Sequence, residues 1–149
     1  MKLPLVYYPT YSLQEPSTAV RDFDTAQKII PDMIDTMISE KGIGLAAPQI
    51  DKNIRLAVIH KDADPELNDH LVIINPKIFS ASKEMDDALE GCLSIRDQEV
   101  VVSRHRKIKI RYTDLEQNEQ KLKATGFFAR VLQHEIDHLD GILILDRAQ

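Results

Sequence analysis

Hydrophobic spacing changes twice along this chain, and the two changes restrict the folds that it can adopt. Between residues 24 and 40, apolar side chains recur at the spacing of an amphipathic helix. After Gly126 the helical spacing returns and is bounded by Gly141. The region between the two helices is rich in short runs that alternate or are β-branched. One helix, several strands and a second helix predict an α+β fold.

The first predicted helix has its own start and stop signals. Asp24 and Gln27 are spaced as a capping box, and Gly42 is placed to end the helix. Pro31 lies inside the pattern and removes one backbone donor, so we expect a kink there or a helix that begins near it. The apolar face of this helix is predicted to pack in the core.

The strands are predicted to be short and mainly antiparallel. Residues 107–112 alternate polar and apolar side chains, which is typical of a strand with one face in water. Residues 114–120 are predicted as a hairpin connection. The predicted strands are residues 54–60, 71–78, 100–103, 108–113 and 121–125.

Length and charge limit the classes of function. The 149 residues fit one domain, residues 1–149, without disulfide support. Nineteen basic against 24 acidic side chains give a net charge of −5, which disfavours nucleic acid and anionic membranes as partners. The single cysteine, Cys92, suits a reducing compartment. No signal peptide or membrane-spanning run is recognisable, so we expect a cytoplasmic protein.

A possible metal site is encoded near the end of the second helix. His134 and His138 are four residues apart and therefore lie on one helical face, where both imidazoles can bind one ion. Glu135 between them can reach the open coordination position. A catalytic site normally needs a third protein ligand, and Cys92 is the only soft candidate upstream. By themselves, a chance His-Glu-x-x-His string and a buried structural cysteine remain open alternatives.

Three strings together resemble the peptide deformylase family. They are GIGLAAPQ at residues 42–49, EGCLS at residues 90–94 and HEIDH at residues 134–138, and they match the family's motifs at every fixed position. The resemblance covers essentially the whole chain. It implies an α+β fold with short, mainly antiparallel strands around a metal-binding helix. The chain resembles the short forms, such as phage-encoded deformylases, that lack an extended carboxy-terminal helix.

The resemblance also implies an activity and its setting. It implies a metal-dependent hydrolase that removes the formyl group from the formyl-methionine of new polypeptides and releases formate. It implies one divalent ion, Fe²⁺ natively, for which Zn²⁺, Ni²⁺ or Co²⁺ can substitute. The implied partners are N-formylmethionyl nascent chains and, in a weak or transient contact, the ribosome, in the cytosol of a bacterium or a phage-infected bacterium.

Residue roles follow from the same resemblance, position by position. Glu135 is implied as the general base and later acid, while the Gln49 amide and the Leu93 backbone N–H are implied to stabilise the oxyanion. From its place beside Gly91, Glu90 is expected either to orient the site, paired with Arg104, or to form an ordinary surface salt bridge. The implied metal ligands are Cys92, His134 and His138. The implied substrate-binding residues are Ile43, Gly44, Glu90, Gly91, Phe127 and Val131.

Two other functions compete with this interpretation. Another His-Glu-x-x-His metallopeptidase would share the metal and the base, but such enzymes usually take their third ligand downstream. Cys92 within EGCLS argues against that class. A non-catalytic module that binds metal or formyl-peptides would not need Glu135, Gln49 and Cys92 together.

Overall fold

A computed structural model describes all residues, 1–149, and shows two α-helices, four short 3-10 helices and seven strands. The α-helices are α1 (Phe23–Ser39) and α2 (Gly126–Leu139). The strands are β1 (Gly44–Ala46), β2 (Leu56–Ile59), β3 (Leu71–Ala81), β4 (Met85–Cys92), β5 (Ile95–His105), β6 (Lys107–Thr113) and β7 (Glu119–Thr125).

The strands form two sheets in which neighbours are antiparallel. The larger sheet has the order β1-β2-β3-β6-β7, and β4 and β5 form a separate two-stranded sheet. The predicted α+β class with antiparallel strands is confirmed. No helix is both long enough and apolar enough to cross a membrane.

The two helices cover opposite faces of the larger sheet. Alternate residues of β2 divide between them: Val58 packs in a cluster with α1, and Ile59 packs in a cluster with α2. Helix α2 extends its contacts to β6 and β7, where Ile110 is fully buried. Because the α1 cluster includes residues of β1, β2 and β3 but none of β6 or β7, the second face of β6 and β7 meets solvent.

Helix α1 differs in detail from its prediction. It begins at Phe23, and Asp22 caps it by accepting a 3.2 Å hydrogen bond from the Thr25 N–H, so the predicted Asp24–Gln27 capping box is wrong. The helix continues through Pro31 to Ser39, because a buried apolar face compensates for the missing donor. The turn after it uses Lys41, at φ +59°, rather than Gly42 as the left-handed residue.

Two strands were not predicted from the sequence, and a third was predicted too short. Strand β1 was not predicted, nor was β4, whose sequence MDDALEGC has few strand-forming residues. Strand β5 was expected only at residues 100–103, yet it spans eleven residues. Pairing between β4 and β5 outweighs the weak local propensity, with Ala88 opposite Val102 and Leu89 opposite Val101. The predicted hairpin is present, with the connection between Thr113 and Glu119.

Candidate metal centre

Helix α2 presents His134 and His138 on one face. Their ring centroids lie 5.1 Å apart, as expected for side chains one helical turn apart. His138 is almost fully buried, and its Nε2 lies 3.3 Å from the Cys92 Sγ. Both imidazoles therefore meet Cys92 at the end of β4.

One ligand atom from each of Cys92, His134 and His138 lies within 4.8 Å of the other two. A thiolate with two imidazoles is a donor set that suits iron, zinc, nickel or cobalt. The three atoms are close enough to bind one ion, so these residues fit the metal that the sequence predicts. The third ligand comes from a strand that sequence patterns did not reveal, although the cysteine itself was singled out.

Glu90 orients one of these ligands from behind. Its Oε1 lies 3.0 Å from His134 Nδ1, which leaves the Nε2 of that imidazole for an ion. The Arg104 guanidinium donates two 2.9 Å hydrogen bonds to the same carboxylate, as the sequence suggested. Burial raises the pKa of Glu90, but hydrogen bonds from Arg104 and His134 outweigh burial and hold that pKa well below its ordinary value.

Sequence reasoning gave no role to two further charged groups behind the centre. Arg130 donates to Glu90 Oε2 at 2.6 Å and to two backbone carbonyls of the β4–β5 sheet. Asp137 accepts hydrogen bonds from Arg104 and from Arg147 near the chain's end. A role for Asp137 could have been predicted from its place inside HEIDH, because it lies three residues after His134 and therefore about one turn along α2.

Glu135 is 3% exposed, and its Oε1 has no hydrogen-bond partner in the protein. Burial raises the pKa of Glu135 to about 7. A Cβ on Gly44 would lie 2.6 Å from Glu135 Oε2, so a larger residue there would displace this carboxylate from its present position. Gly44 of the first motif therefore leaves the space that Glu135 of the third motif occupies.

The two histidines differ in their preferred protonation. Burial lowers the pKa of His138 well below its ordinary value, which favours the neutral form that binds metals. Burial also lowers the pKa of His134, but the charge of Glu135 and contacts with Cys92 and Glu90 outweigh burial and raise it to about 10. A metal ion must therefore compete with a proton for His134.

Gln49 is held in a fixed orientation beside Cys92. Its Oε1 accepts a 2.9 Å hydrogen bond from the Ala46 N–H, so its amide group points the other way. The Nε2 donates to Ser94 Oγ at 3.1 Å and lies 3.7 Å from Cys92 Sγ. The first two motifs therefore meet at the predicted metal site.

An open cleft of about 410 Å³ leads to these groups. Phe127 stands at its rim and is 58% exposed, whereas Val131 is buried. Every site residue predicted from the sequence lines this cleft except His138, which is buried beneath it. Glu90 reaches the cleft wall, but Arg104, Arg130 and His134 engage both of its carboxylate oxygens.

The fold and the site together define a class of protein. A cleft with one thiol, two imidazoles and a buried carboxylate at its floor is the arrangement of a metal-dependent hydrolase.

Comparison with known proteins narrows that class. Residues 2–149 match the family model described as polypeptide deformylase. A peptide deformylase of Microchaete diplosiphon is 42% identical over 146 residues, 97% of this chain and 78% of the relative. The chain therefore belongs to the polypeptide deformylase family.

Solved structures agree with this assignment. A peptide deformylase from Thermotoga maritima superimposes with a TM-score of 0.92 at 34% identity, covering 100% of this chain and 99% of the other. A class I type b peptide deformylase from Acinetobacter baumannii, with Met-Ala-Ser bound, superimposes with a TM-score of 0.91 at 30% identity. This superposition covers 99% of the present chain and 98% of the Acinetobacter baumannii chain. The chain has the peptide deformylase fold, and members of this family are metalloenzymes.

Proposed function

We propose that residues 1–149 act as one catalytic domain that hydrolyses the formyl group of N-terminal formyl-methionine on newly synthesised polypeptides and releases formate. The observation that carries this proposal is the meeting of Cys92, His134 and His138 at the floor of a cleft beside the buried Glu135. Family membership over nearly the whole chain supports the same activity.

The three ligands are proposed to hold one divalent ion, Fe²⁺ natively, with Zn²⁺, Ni²⁺ or Co²⁺ as substitutes. Such an ion, held by these three residues, would act as a Lewis acid that activates water near neutral pH. Glu90 keeps the His134 ring oriented through its contact with Nδ1. We therefore propose that Glu90 positions His134, in addition to its predicted place among the substrate-binding residues.

Glu135 is proposed to accept the proton that the nucleophile loses and to return it to the departing amine. Its raised pKa, about 7, suits a group that must bind and release a proton near neutral pH. The unpartnered Oε1 is available for that transfer. Gly44 contributes by leaving the space that this carboxylate occupies.

The Gln49 amide and the Leu93 backbone N–H are proposed to donate hydrogen bonds to the oxyanion. The Gln49 Nε2 already points toward Cys92 because the Ala46 N–H holds the opposite end of its amide. A donor fixed in this way costs little reorganisation during the reaction, and losing one typically costs about 3 kcal/mol of transition-state stabilisation.

The peptide is proposed to lie extended in the cleft between β1 and β4. Gly44 and Gly91 line the cleft on these strands, and a backbone without Cβ can approach an extended peptide closely. Ile43, Phe127 and Val131 are proposed to receive the methionine side chain, with Leu93 beside them. The deformylase from Acinetobacter baumannii binds Met-Ala-Ser, a peptide of the kind that this reaction would release.

The cellular setting is also a proposal. The single cysteine is proposed to ligate metal in the reducing cytoplasm of a bacterium or a phage-infected bacterium. Nascent chains are the proposed substrate, and contact with the ribosome is proposed to be weak or transient.

Formate release tests this function against its two competitors. The metal-loaded protein, prepared without oxygen, is given formyl-Met-Ala-Ser and, as the matched control, acetyl-Met-Ala-Ser. We expect rapid formate release from the first and little acetate from the second, with the activity lost on chelation and regained with metal. Cleavage of the Met–Ala bond, seen as release of N-formylmethionine without formate, would indicate a metallopeptidase, and peptide binding without any hydrolysis would indicate a non-catalytic module.

A further inference from the structure

One face of the larger sheet concentrates unpaired positive charge. It is the face of β3, β6 and β7 opposite α2, and we call its six exposed cationic residues the basic face. They are Lys77, Lys107, Lys109, Arg111, Lys121 and Lys123. None of them forms an ion pair, which is also true of exposed lysines elsewhere such as Lys28 and Lys52, but these six share one face of the sheet.

Strand pairing brings these cations directly opposite one another. Lys109 faces Lys123, and Arg111 faces Lys121 on one side and Lys77 on the other. Like charges directly opposite on one face of a sheet are destabilising. The folded protein therefore holds these cations together at an electrostatic cost, and none of them forms an ion pair, although Glu119 lies at the end of the same face of β7.

An aromatic ring lies among the cations. Phe79, at a register shift in β3, is 39% exposed. The Arg111 guanidinium lies 4.8 Å from its ring centroid, and the Lys121 Nζ lies 6.0 Å from it. These cation–π contacts hold the two charges over the sheet surface.

The shape of the basic face fits a polyanion better than a single anion. Side chains on one face recur about every 6.6 Å along a strand and about every 4.8 Å between strands, so the cations form a two-dimensional array. A membrane-surface segment would pair its cations with an apolar face that enters the lipid, whereas Phe79 is the one large apolar side chain exposed among these cations. A nucleic-acid backbone offers repeated phosphates to such an array.

We infer that the basic face binds the phosphate backbone of RNA without sequence preference. The net charge of −5 led to the opposite expectation, but a sum over the chain does not describe how charge is distributed. Because α2 and its cleft lie on the other side of the sheet, RNA bound here leaves the cleft open. The choice of RNA as the polyanion rests on the proposed function, since nascent chains are made on RNA-rich particles.

The test measures binding of the metal-loaded protein to a fluorescent oligouridine of about 20 nucleotides by anisotropy. Six phosphate contacts on a single strand predict that log K falls with log salt with a slope of about −4 between about 50 and about 200 mM salt. A wild-type slope shallower than about −2 would overturn the proposal, whatever any variant does.

Two triple variants with the same change in net charge locate the surface. Lys109→Gln/Arg111→Gln/Lys123→Gln is expected to weaken binding at least about tenfold and to reduce the slope by about 2. The matched control, Lys28→Gln/Lys52→Gln/Lys61→Gln, alters exposed lysines outside the basic face and is expected to bind as the wild type does. Equal losses in both variants would contradict the proposal.

Two further measurements separate the possible failures. Vesicles that contain phosphatidylserine serve as the competing anionic surface, and binding to them without binding to RNA would overturn the proposal. Formate release by all three proteins reports the cleft independently. RNA binding without formate release would refute the proposed activity but not the basic face, and formate release without RNA binding would refute only the basic face.

Discussion

Cationic side chains are concentrated in two regions of this molecule, one buried and paired with carboxylates and the other exposed and unpaired. Behind the cleft, the buried Arg104 and the largely buried Arg130 both donate to Glu90, and Arg104 also donates to Asp137. On the basic face, Lys109 and Lys123 stand opposite each other with no carboxylate partner. A buried charge needs a protein counter-charge because water cannot reach it, whereas an exposed charge is stabilised by solvent. The buried cations behind the cleft, which we call the inner region, stabilise the wall of the cleft. The cations of the basic face, the outer region, remain free for an external partner.

The largest expected effect comes from the inner region. Arg104→Met should lower the free energy of unfolding by about 3–5 kcal/mol, because it leaves Glu90 and Asp137 buried without their shared partner. Urea denaturation measures the change. The matched control, Lys109→Met, removes an exposed cation and should not destabilise the fold. A loss below about 1 kcal/mol in Arg104→Met would contradict the comparison.

Acid should weaken the inner region through Glu90. The ordinary pKa of this carboxyl is 4.5, and the folded protein holds its pKa well below that value. A carboxyl with a lowered pKa stabilises the fold fully above its ordinary value and loses that contribution as the pH falls further. The difference in unfolding free energy between wild type and Glu90→Gln should therefore be largest near neutral pH and shrink below 4.5. A difference that grows in acid would refute this.

The outer region should respond in the opposite direction. Lys123→Thr removes one of two like charges that face each other across β6 and β7, and threonine favours strands. We expect the free energy of unfolding to rise by about 0.5 kcal/mol, measured by urea denaturation at low salt. The gain should fade at high salt because screening weakens the repulsion. Destabilisation at low salt would show that Lys123 has a structural role.

The smallest expected effect comes from Arg106, only two residues from Arg104. Its guanidinium pairs with Glu84 and Asp86, but all three side chains are exposed. Because solvent screens such pairs, Arg106→Met should leave the unfolding midpoint nearly unchanged. If Arg106→Met lost as much unfolding free energy as Arg104→Met, ion pairing and not burial would determine the contribution of these arginines to stability.

The sequence predicted the helices and most of the larger sheet because their patterns are local. Helix α2 and strand β6 have clear periods, and the structure has both near their predicted bounds. Strand β4 was missed because its stability comes from pairing with β5, which is a tertiary property. The capping residue of α1 was misplaced by two positions because several polar residues near its start are capable of capping.

The candidate site was predictable to the extent that motifs encode it. Motifs located Cys92, His134, His138 and Glu135, and the structure brings all four together. Arg130 was overlooked because its partners lie on distant strands. The basic face was also missed, since net charge is summed along the chain while strand register determines which charges meet.

The most direct test of the account is the effect of Glu135→Gln on formate release, with metal content measured in the same samples. The amide preserves the shape of the side chain but is not a carboxylate base. We expect wild type and variant to retain one ion per chain, and release of formate from formyl-Met-Ala-Ser to fall at least about a hundredfold in the variant. A metal-loaded variant that releases formate at the wild-type rate would contradict the account.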